Sequence, residues 1–217
     1  MKKHIASAGI AFAAALLATS PAQAANLITN GSFENGNTGG AYSTEGAGST
    51  NIFGWTVDSG SVDYISSYWA ASDGARSIDI AGSAIGSLSQ SFATVAGNAY
   101  KVTFDLSSNP DLRGARDLLV SINGGAPITF THPGSTGKDA AGMNWLNQSF
   151  TFLATGANTT LAFTTNGSAQ NVYGPALDNV SVSGVPEPAA WGMLLAGFAF
   201  VGGSMRRRRT SATVTFA

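Results

Sequence analysis

Between residues 25 and 185 apolar and polar side chains alternate. The runs "AYKVTFDLSS", "DLLVSING", "APITFTH", "WLNQSFTFLA" and "TTLAFTTNG" place β-branched or aromatic residues at every second position. A period of two is what a strand with one buried face requires. "SIDIAGSAIGSLSQSF" and "GPALDNVSVSG" continue the pattern. Turn residues separate the runs. Asn-Gly pairs stand at 30–31, 35–36, 123–124 and 166–167, and 123–124 is the best hairpin site. About ten strands at this spacing predict an all-β fold, an antiparallel β-sandwich or jelly roll. The alternation sends Tyr100, Val102 and Phe104 into the core with Phe150 and Phe152, and Trp55 and Trp145 read as core too. There are no heptads, no long 3.6-residue stripe and no internal repeats.

Two apolar segments interrupt this picture, one at each end. Residues 1–24 carry a basic start (Lys2, Lys3, His4), an apolar run from Ile5 to Thr19 and the small-residue box Ala22-Gln23-Ala24. That is the layout of a secretory signal peptide, with cleavage expected after Ala24; the alternative is a permanent amino-terminal anchor. At the other end, Ala189 to Met205 has no charged residue and is followed by Arg206, Arg207, Arg208 and Arg209. A helix over 189–205 would reach about 26 Å, against a hydrocarbon core of about 30 Å. Flanking side chains can bridge the difference, and the arginine block would hold that end in the cytoplasm. The alternative is a helix buried in the domain itself. Pro186-Glu187-Pro188 before it reads as an extended spacer, because neither proline fits a sheet or helix interior. The expected organisation is a signal peptide over 1–24, a β-sandwich domain over 25–184, a tail signal over 185–209 and a short cytoplasmic tail over 210–217.

Charge sharpens the functional picture. Residues 25–185 hold eleven acids and five bases, a net −6 that the overall −1 conceals. An acidic body repels phosphate backbones, which argues against nucleic acid and leaves neutral sugars or calcium as compatible ligands. The chain has no cysteine, so an exported form must rely on its core.

The chemistry of nucleophiles finds little here. His132 is the only histidine outside the amino-terminal segment, and no GxSxG, HExxH or phosphate-loop motif occurs. Exposed aromatic faces beside polar groups are what a sugar ring needs. "YISSYWAASDGAR" supplies Tyr64, Tyr68, Trp69, Asp73 and Arg76, and Tyr173 stands in another turn-rich stretch, as does Tyr42. Trp69 has two readings, a sugar platform or a cap on the end of the sandwich. "NLITNGSFENG" opens the body and "GPALDNVSV" closes it. Adjacent end strands would bring Glu34 near Asp178, and with carbonyls of the turn at Asn35 and Gly36 they could offer oxygens to Ca²⁺. The competing reading is two exposed turn acids.

The order Pro186-Glu187-Pro188, Trp191, apolar helix and Arg206 to Arg209 resembles the PEP-CTERM sorting signal of exopolysaccharide-producing Gram-negative bacteria. Export through the inner membrane and signal peptidase processing follow from the reading of residues 1–24; the resemblance implies recognition by an exosortase, a membrane cysteine transpeptidase, and a transient anchor. Residues 210–217 depart from it, since such tails usually stop sooner. "NLITNGSFENG", "FGWTVDSGSVDYI", "DGARSIDIAG", "GSLSQSF", "GNAYKVTFDLSSNP" and "LDNVSV" together resemble the choice-of-anchor C family, which is similar to a plant cell-wall domain family of unknown function. Both look like galactose-binding-type jelly rolls, the architecture of many carbohydrate-binding modules. In modules that begin "NGxFE" and end "DNV" a structural calcium uses that glutamate and aspartate, which correspond here to Glu34 and Asp178.

The expected function is a non-catalytic, exported cell-envelope or matrix protein that binds extracellular polysaccharide. Two rivals stand beside it: a self-assembling structural protein with no glycan ligand, and a small glycan-acting hydrolase using two of the eleven acids.

Overall fold

The computed structural model describes residues 25–166, 172–185 and 188–207. The signal peptide over 1–24, Pro186, Glu187, Arg208, Arg209 and the 210–217 tail lie outside the described residues, as do the side chains of Pro188, Trp191 and Arg207. The described residues form eleven strands and two helices. The strands are β1 (Tyr42–Gly46), β2 (Thr56–Ser59), β3 (Ser61–Ile65), β4 (Ser77–Asp79), β5 (Ser87–Ala93), β6 (Ala99–Ser108), β7 (Arg116–Ile122), β8 (Ile128–His132), β9 (Leu146–Leu153), β10 (Asn158–Thr165) and β11 (Pro175–Gly184). Helix α1 is one turn, Ala140–Met143, and α2 is Pro188–Arg207.

Every strand pair is antiparallel, and the strands divide into two sheets. One sheet has six strands in the order β1-β3-β4-β11-β6-β9, the other five in the order β2-β5-β10-β7-β8. The all-β antiparallel sandwich is therefore as expected. The alternating residues face the interior: Tyr100, Val102 and Phe104 of β6 meet Leu161 and Phe163 of β10, with Phe150 and Phe152 packed against them. Ring contacts run across the core, Phe33 to Trp55 at 5.2 Å, Trp55 to Phe163 at 6.0 Å and Phe104 to Phe163 at 5.6 Å between centroids. Such offset and edge-on pairs add to the burial of large apolar surfaces. Asn123 and Gly124 both adopt positive φ (51° and 68°), and Gly125 N–H closes the turn on the Ile122 carbonyl. Those angles suit the twist of a hairpin.

The two ends of the body do meet. Leu27 N–H donates to the Val182 carbonyl at 2.8 Å, and Val180 N–H to Gly31. The register of β11 shifts between Asp178 and Ser181, where it leaves β4 behind and takes the opening segment as its neighbour.

A second, smaller apolar cluster of Ile65, Trp69, Met143 and Ala176 lies apart from the main core, with Tyr68 and Trp145 against it. Ile65 and Ala176 belong to the six-stranded sheet, and the loops over 66–76 and 133–145 supply the rest. That sheet is thus covered on both faces near β4, where Ser77, Ile78 and Asp79 are all buried.

Helix α2 forms over the apolar tail, and Leu194, Leu195, Phe198, Phe200, Val201 and Met205 are exposed. The tail is not buried in the sandwich. Among the described residues no helix is long and apolar enough to cross a membrane, so the transmembrane span expected over 189–205 is not supported.

Candidate functional site

The strands of the larger sheet carry polar side chains toward one end of its outer face. The register pairs Tyr42 with Ile65 and Thr44 with Asp63 across β1 and β3, and Asp63 with Asp79 across β3 and β4. Over this end lie the segments 66–69, 82–83, 109–111 and 172–173, enclosing a groove of about 320 Å³. Tyr42, Tyr68 and Tyr173 line it with Asp63, Asn109 and Asp111.

Tyr68 is held in place from several sides. Its hydroxyl donates to Asp111 Oδ2 at 2.5 Å, its ring lies 5.2 Å from that of Tyr42 edge-on, and Lys138 Nζ stands 3.6 Å over its centroid. Lys138 also pairs with Asp111 Oδ1 at 2.9 Å. Burial acts to raise the Asp111 pKa, but the Tyr68 hydroxyl and the Lys138 ammonium outweigh it and hold the carboxyl below its ordinary value. Tyr42 and Tyr173 leave more of their rings to solvent, 43% and 38%.

Beneath the groove Asp79 is fully buried and fastens three chain segments. Its Oδ1 accepts the N–H of Ala81 (2.9 Å) and of Gly174 (3.0 Å), and its Oδ2 accepts Asn109 Nδ2 (2.8 Å). Those donors come from the 80–86, 109–115 and 172–174 segments, each of which contributes to the groove wall. Burial pushes the Asp79 carboxyl up to about 8 despite the three donors, with the neighbouring Asp63 adding to the rise. Asp63 itself is raised by burial, while the Thr44 hydroxyl bonded to it pulls the other way. Arg116 braces the far wall: Nε donates to the Tyr173 carbonyl at 2.7 Å and Nη2 to that of Leu112 at 3.0 Å.

The six residues expected at a sugar site separate. Tyr68 and Tyr173 line the groove, and Trp69 forms part of its wall while only 4% exposed, its Nε1 donating to Ser77 Oγ. Trp69 therefore follows the capping reading. Tyr64 is wholly buried, and its hydroxyl donates to the Phe33 carbonyl. It presents no face to a ligand, because β3 turns it into the main core. Arg76 donates through Nη1 to the Gly36 carbonyl (2.6 Å) and to Tyr64 (2.9 Å), and Asp73 lies on the exposed loop beside it. Asp63, Asp79, Asn109, Asp111 and Lys138 were not singled out from sequence. The acid in "SIDIAG", flanked by strand-forming isoleucines, was the available signal for Asp79.

Glu34, Gly36 and Asp178 meet around the loop over 72–76 rather than around one another. Glu34 Oε1 accepts the N–H of Ala75 and Arg76 at 2.9 and 2.8 Å. Asp178 Oδ2 accepts those of Ser72 and Asp73 at 2.8 and 2.9 Å, and Oδ1 that of Asn179 at 2.6 Å. Burial raises Asp178 to about 7 against these donors. The Gly36 carbonyl already faces a guanidinium. Calcium requires six to eight oxygen ligands, and no cluster of three or more metal-type side chains occurs among the described residues. Three of the four carboxylate oxygens already accept N–H groups, so the donor set as placed does not fit the ion.

His132 is buried, its Nε2 3.0 Å from the Asn144 carbonyl and its Nδ1 accepting Gly134 N–H. Both ring nitrogens serve the 133–145 loop, and burial lowers its pKa against the Asn144 bond.

Fold and groove together define a two-sheet antiparallel sandwich module with a polar, tyrosine-lined site at one pole. Residues 26–183 match the family described as Protein of unknown function (DUF642), and the chain belongs to that family. Halomucin of Haloquadratum walsbyi is 35% identical over 185 residues, which is 83% of this chain and 2% of that relative. The chain thus spans a small fraction of the length of the curated relative it matches. Among solved structures it is similar to TmCBM61 in complex with β-1,4-galactotriose, at 17% identity and a TM-score of 0.44 over 74% of this chain and 99% of that one. It is also similar to CBM35 from Paenibacillus barcinonensis, at 16% identity and a TM-score of 0.42 over 65% and 98%.

Proposed function

We propose that the protein is an exported, non-catalytic envelope or matrix component whose groove binds neutral polysaccharide. The observation that carries the reading is the convergence of Tyr42, Tyr68 and Tyr173 on one groove with Asp63, Asn109 and Asp111. Tyrosine rings offer apolar faces to the C–H side of a pyranose, while carboxylate and amide groups bind its hydroxyls. Lys138 offsets the charge of Asp111, which leaves Asp63 as the acid at the groove with no cation paired to it among the described residues; a site without a spare cation disfavours uronates and sulfated sugars, so the ligand is uncharged. Support for a non-catalytic role comes from His132, which is locked in structure, and from Asp111, whose two oxygens are both engaged.

In the same reading residues 1–24 are removed by signal peptidase on export through the inner membrane of a Gram-negative cell. The tail from Pro186 through α2 to the arginine block is a transient membrane handle for an exosortase, which releases the domain to the cell surface or beyond. The resemblance of the tail to sorting signals supports this, together with the exposed apolar side chains of α2.

The test is titration of the full chain, held in mild detergent, against neutral and anionic polysaccharides. Neutral polymers bind, and Tyr42→Ala combined with Tyr173→Ala weakens binding at least tenfold, about 1.4 kcal/mol. Binding of uronate polymers alone, or of no polysaccharide, defeats the reading.

A further inference from the structure

The long strands give the sandwich two unlike poles. β6 runs from Ala99 to Ser108, and β11 returns from Pro175 to Gly184. Ser108 and Pro175 lead into the groove segments, while Ala99 and Gly184 lie at the opposite end, about 30 Å away at some 3.3 Å per residue. At that far pole the chain enters beside Val182 and leaves through Val185, whose N–H is bonded to Ala99. Three residue steps later α2 begins at Pro188, a reach of about 10 Å.

The far pole differs from the groove pole in chemistry. Its connecting segments, 94–98, 123–127 and 154–157, read TVAGN, NGGAP and ATGA and contain no charged residue. At the groove pole the 109–115 and 133–145 segments hold Asp111, Arg113, Lys138 and Asp139. Val95 and Leu153 are 60% and 62% exposed at the far pole, with Val185 and Ile128 also open to solvent. Val95 lies with Ala25, Leu27, Ala93 and Tyr100 around one shallow apolar hollow. In a body of net −6, charge-free loops capped by exposed aliphatic side chains need a reason, since large exposed apolar areas mark contact surfaces. Lys101 is exposed on β6, two residues from Ala99.

We infer that this pole is a lipid-facing surface: it rests on the interface of the bilayer that takes up α2, and so holds the groove at the side away from the membrane. The inference rests on the reading of the tail as a membrane handle. The short reach from Val185 to α2 identifies the occupant, because a tail in the bilayer leaves no room for another partner between this pole and the lipid. Burying Val95, Leu153 and Val185 would add apolar contact to the tail's own hold, and the uncharged loops incur no desolvation of ions.

The absence of cysteine permits a direct test on the full chain. Single variants V95C, L153C, S83C and L195C are labelled with a polarity-sensitive fluorophore and mixed with phosphatidylcholine vesicles. The labels at 95, 153 and 195 shift to the blue, and the label at Ser83, in the groove wall, does not. A shift at 195 without one at 95 and 153 overturns the inference and leaves the handle intact. No shift at 195 overturns both, and a shift at 83 equal to that at 95 shows a domain lying without preferred orientation and also overturns it. All three domain positions are on the surface, and an unchanged strand signal in circular dichroism confirms folding of each variant.

Discussion

The carboxylate of Asp178 accepts the backbone N–H of Ser72 at 2.8 Å, across 106 residues of sequence. Glu34 grips the same loop from its other side through Ala75 and Arg76. The two acids expected to gather an ion hold this loop to the opening segment and to β11. Asp178→Asn turns an amide N–H₂ toward backbone donors, leaving buried groups unsatisfied at a cost of about 1–3 kcal/mol. Thermal unfolding of that variant shows a lowered midpoint. Because the two carboxylates meet amides, EDTA leaves the wild-type midpoint unchanged; a rise on adding calcium would mean that the loop rearranges to admit the ion.

Asp79 gives the domain a pH dependence whose sign is fixed by its burial. Its folded pKa is raised, from 3.8 to about 8. The folded state therefore holds a proton that the unfolded state releases, and the stabilisation is complete below the unfolded value. It is lost as pH rises through about 8. Asp178 acts in the same direction, with a folded value of about 7. Asp79→Asn removes one of the two titrations at a cost that does not vary with pH, while Asp178 remains in both proteins and cancels in the comparison. Between pH 5 and pH 9 the wild type is expected to lose at least about 1 kcal/mol of stability relative to that variant. Denaturant titrations at both pH values measure the difference. A constant difference would mean that Asp79 is ionised throughout, its three donors outweighing burial.

The sandwich was legible in the sequence because its inner faces obey the period of two. Tyr100, Val102 and Phe104 are buried as the alternation requires, and Asn123-Gly124 turns where it should. The site was legible only in fragments. Loops cover the outer face of the larger sheet, so along β4 both alternating sets are buried and the period no longer separates core from surface. Trp69 was for that reason indistinguishable from an exposed ring. Tyr42 reaches Tyr68 through the pairing of β1 with β3, a register that sequence proximity does not reveal. Glu34 and Asp178 were brought to one loop as their positions in the end segments implied, but the direction of the loop amides, which decides between a metal and a clamp, is a property of the folded backbone.

Burial also separates the two aromatic roles at the groove. Trp69→Ala empties a site enclosed by Ile65, Met143 and Ala176, and is expected to cost about 3–5 kcal/mol of stability. Tyr42→Ala removes an exposed ring and changes stability by no more than about 0.5 kcal/mol. On the proposed function, the first variant weakens polysaccharide binding through loss of the folded groove, the second at an unchanged unfolding midpoint. Paired calorimetric and binding titrations check this, and equal stability losses for the two would contradict the assignment of Trp69 to the core.

Gly174 is the point where the groove wall is packed most tightly against its buried carboxylate. A Cβ there would lie 2.3 Å from Asp79 Oδ1 and 2.8 Å from the Ala81 backbone nitrogen. Neither neighbour can yield cheaply, because Asp79 is fixed by three donors and Ala81 by its own bond to Asp79. Gly174→Ala must push the 172–174 segment outward, break its N–H bond to Asp79 and move Tyr173, which lies one residue away. The expected loss is about 2–3 kcal/mol of stability, in the range of overpacking with a broken buried hydrogen bond. On the proposed function, polysaccharide binding should fall further than in Tyr173→Ala, since the whole wall is displaced and not one ring. Hydrogen exchange reads the mechanism directly: the Ala81 amide loses protection in Gly174→Ala and keeps it in Tyr173→Ala. Equal protection in the two variants would show that the wall tolerates the methyl group and that Asp79 does not couple the segments it touches.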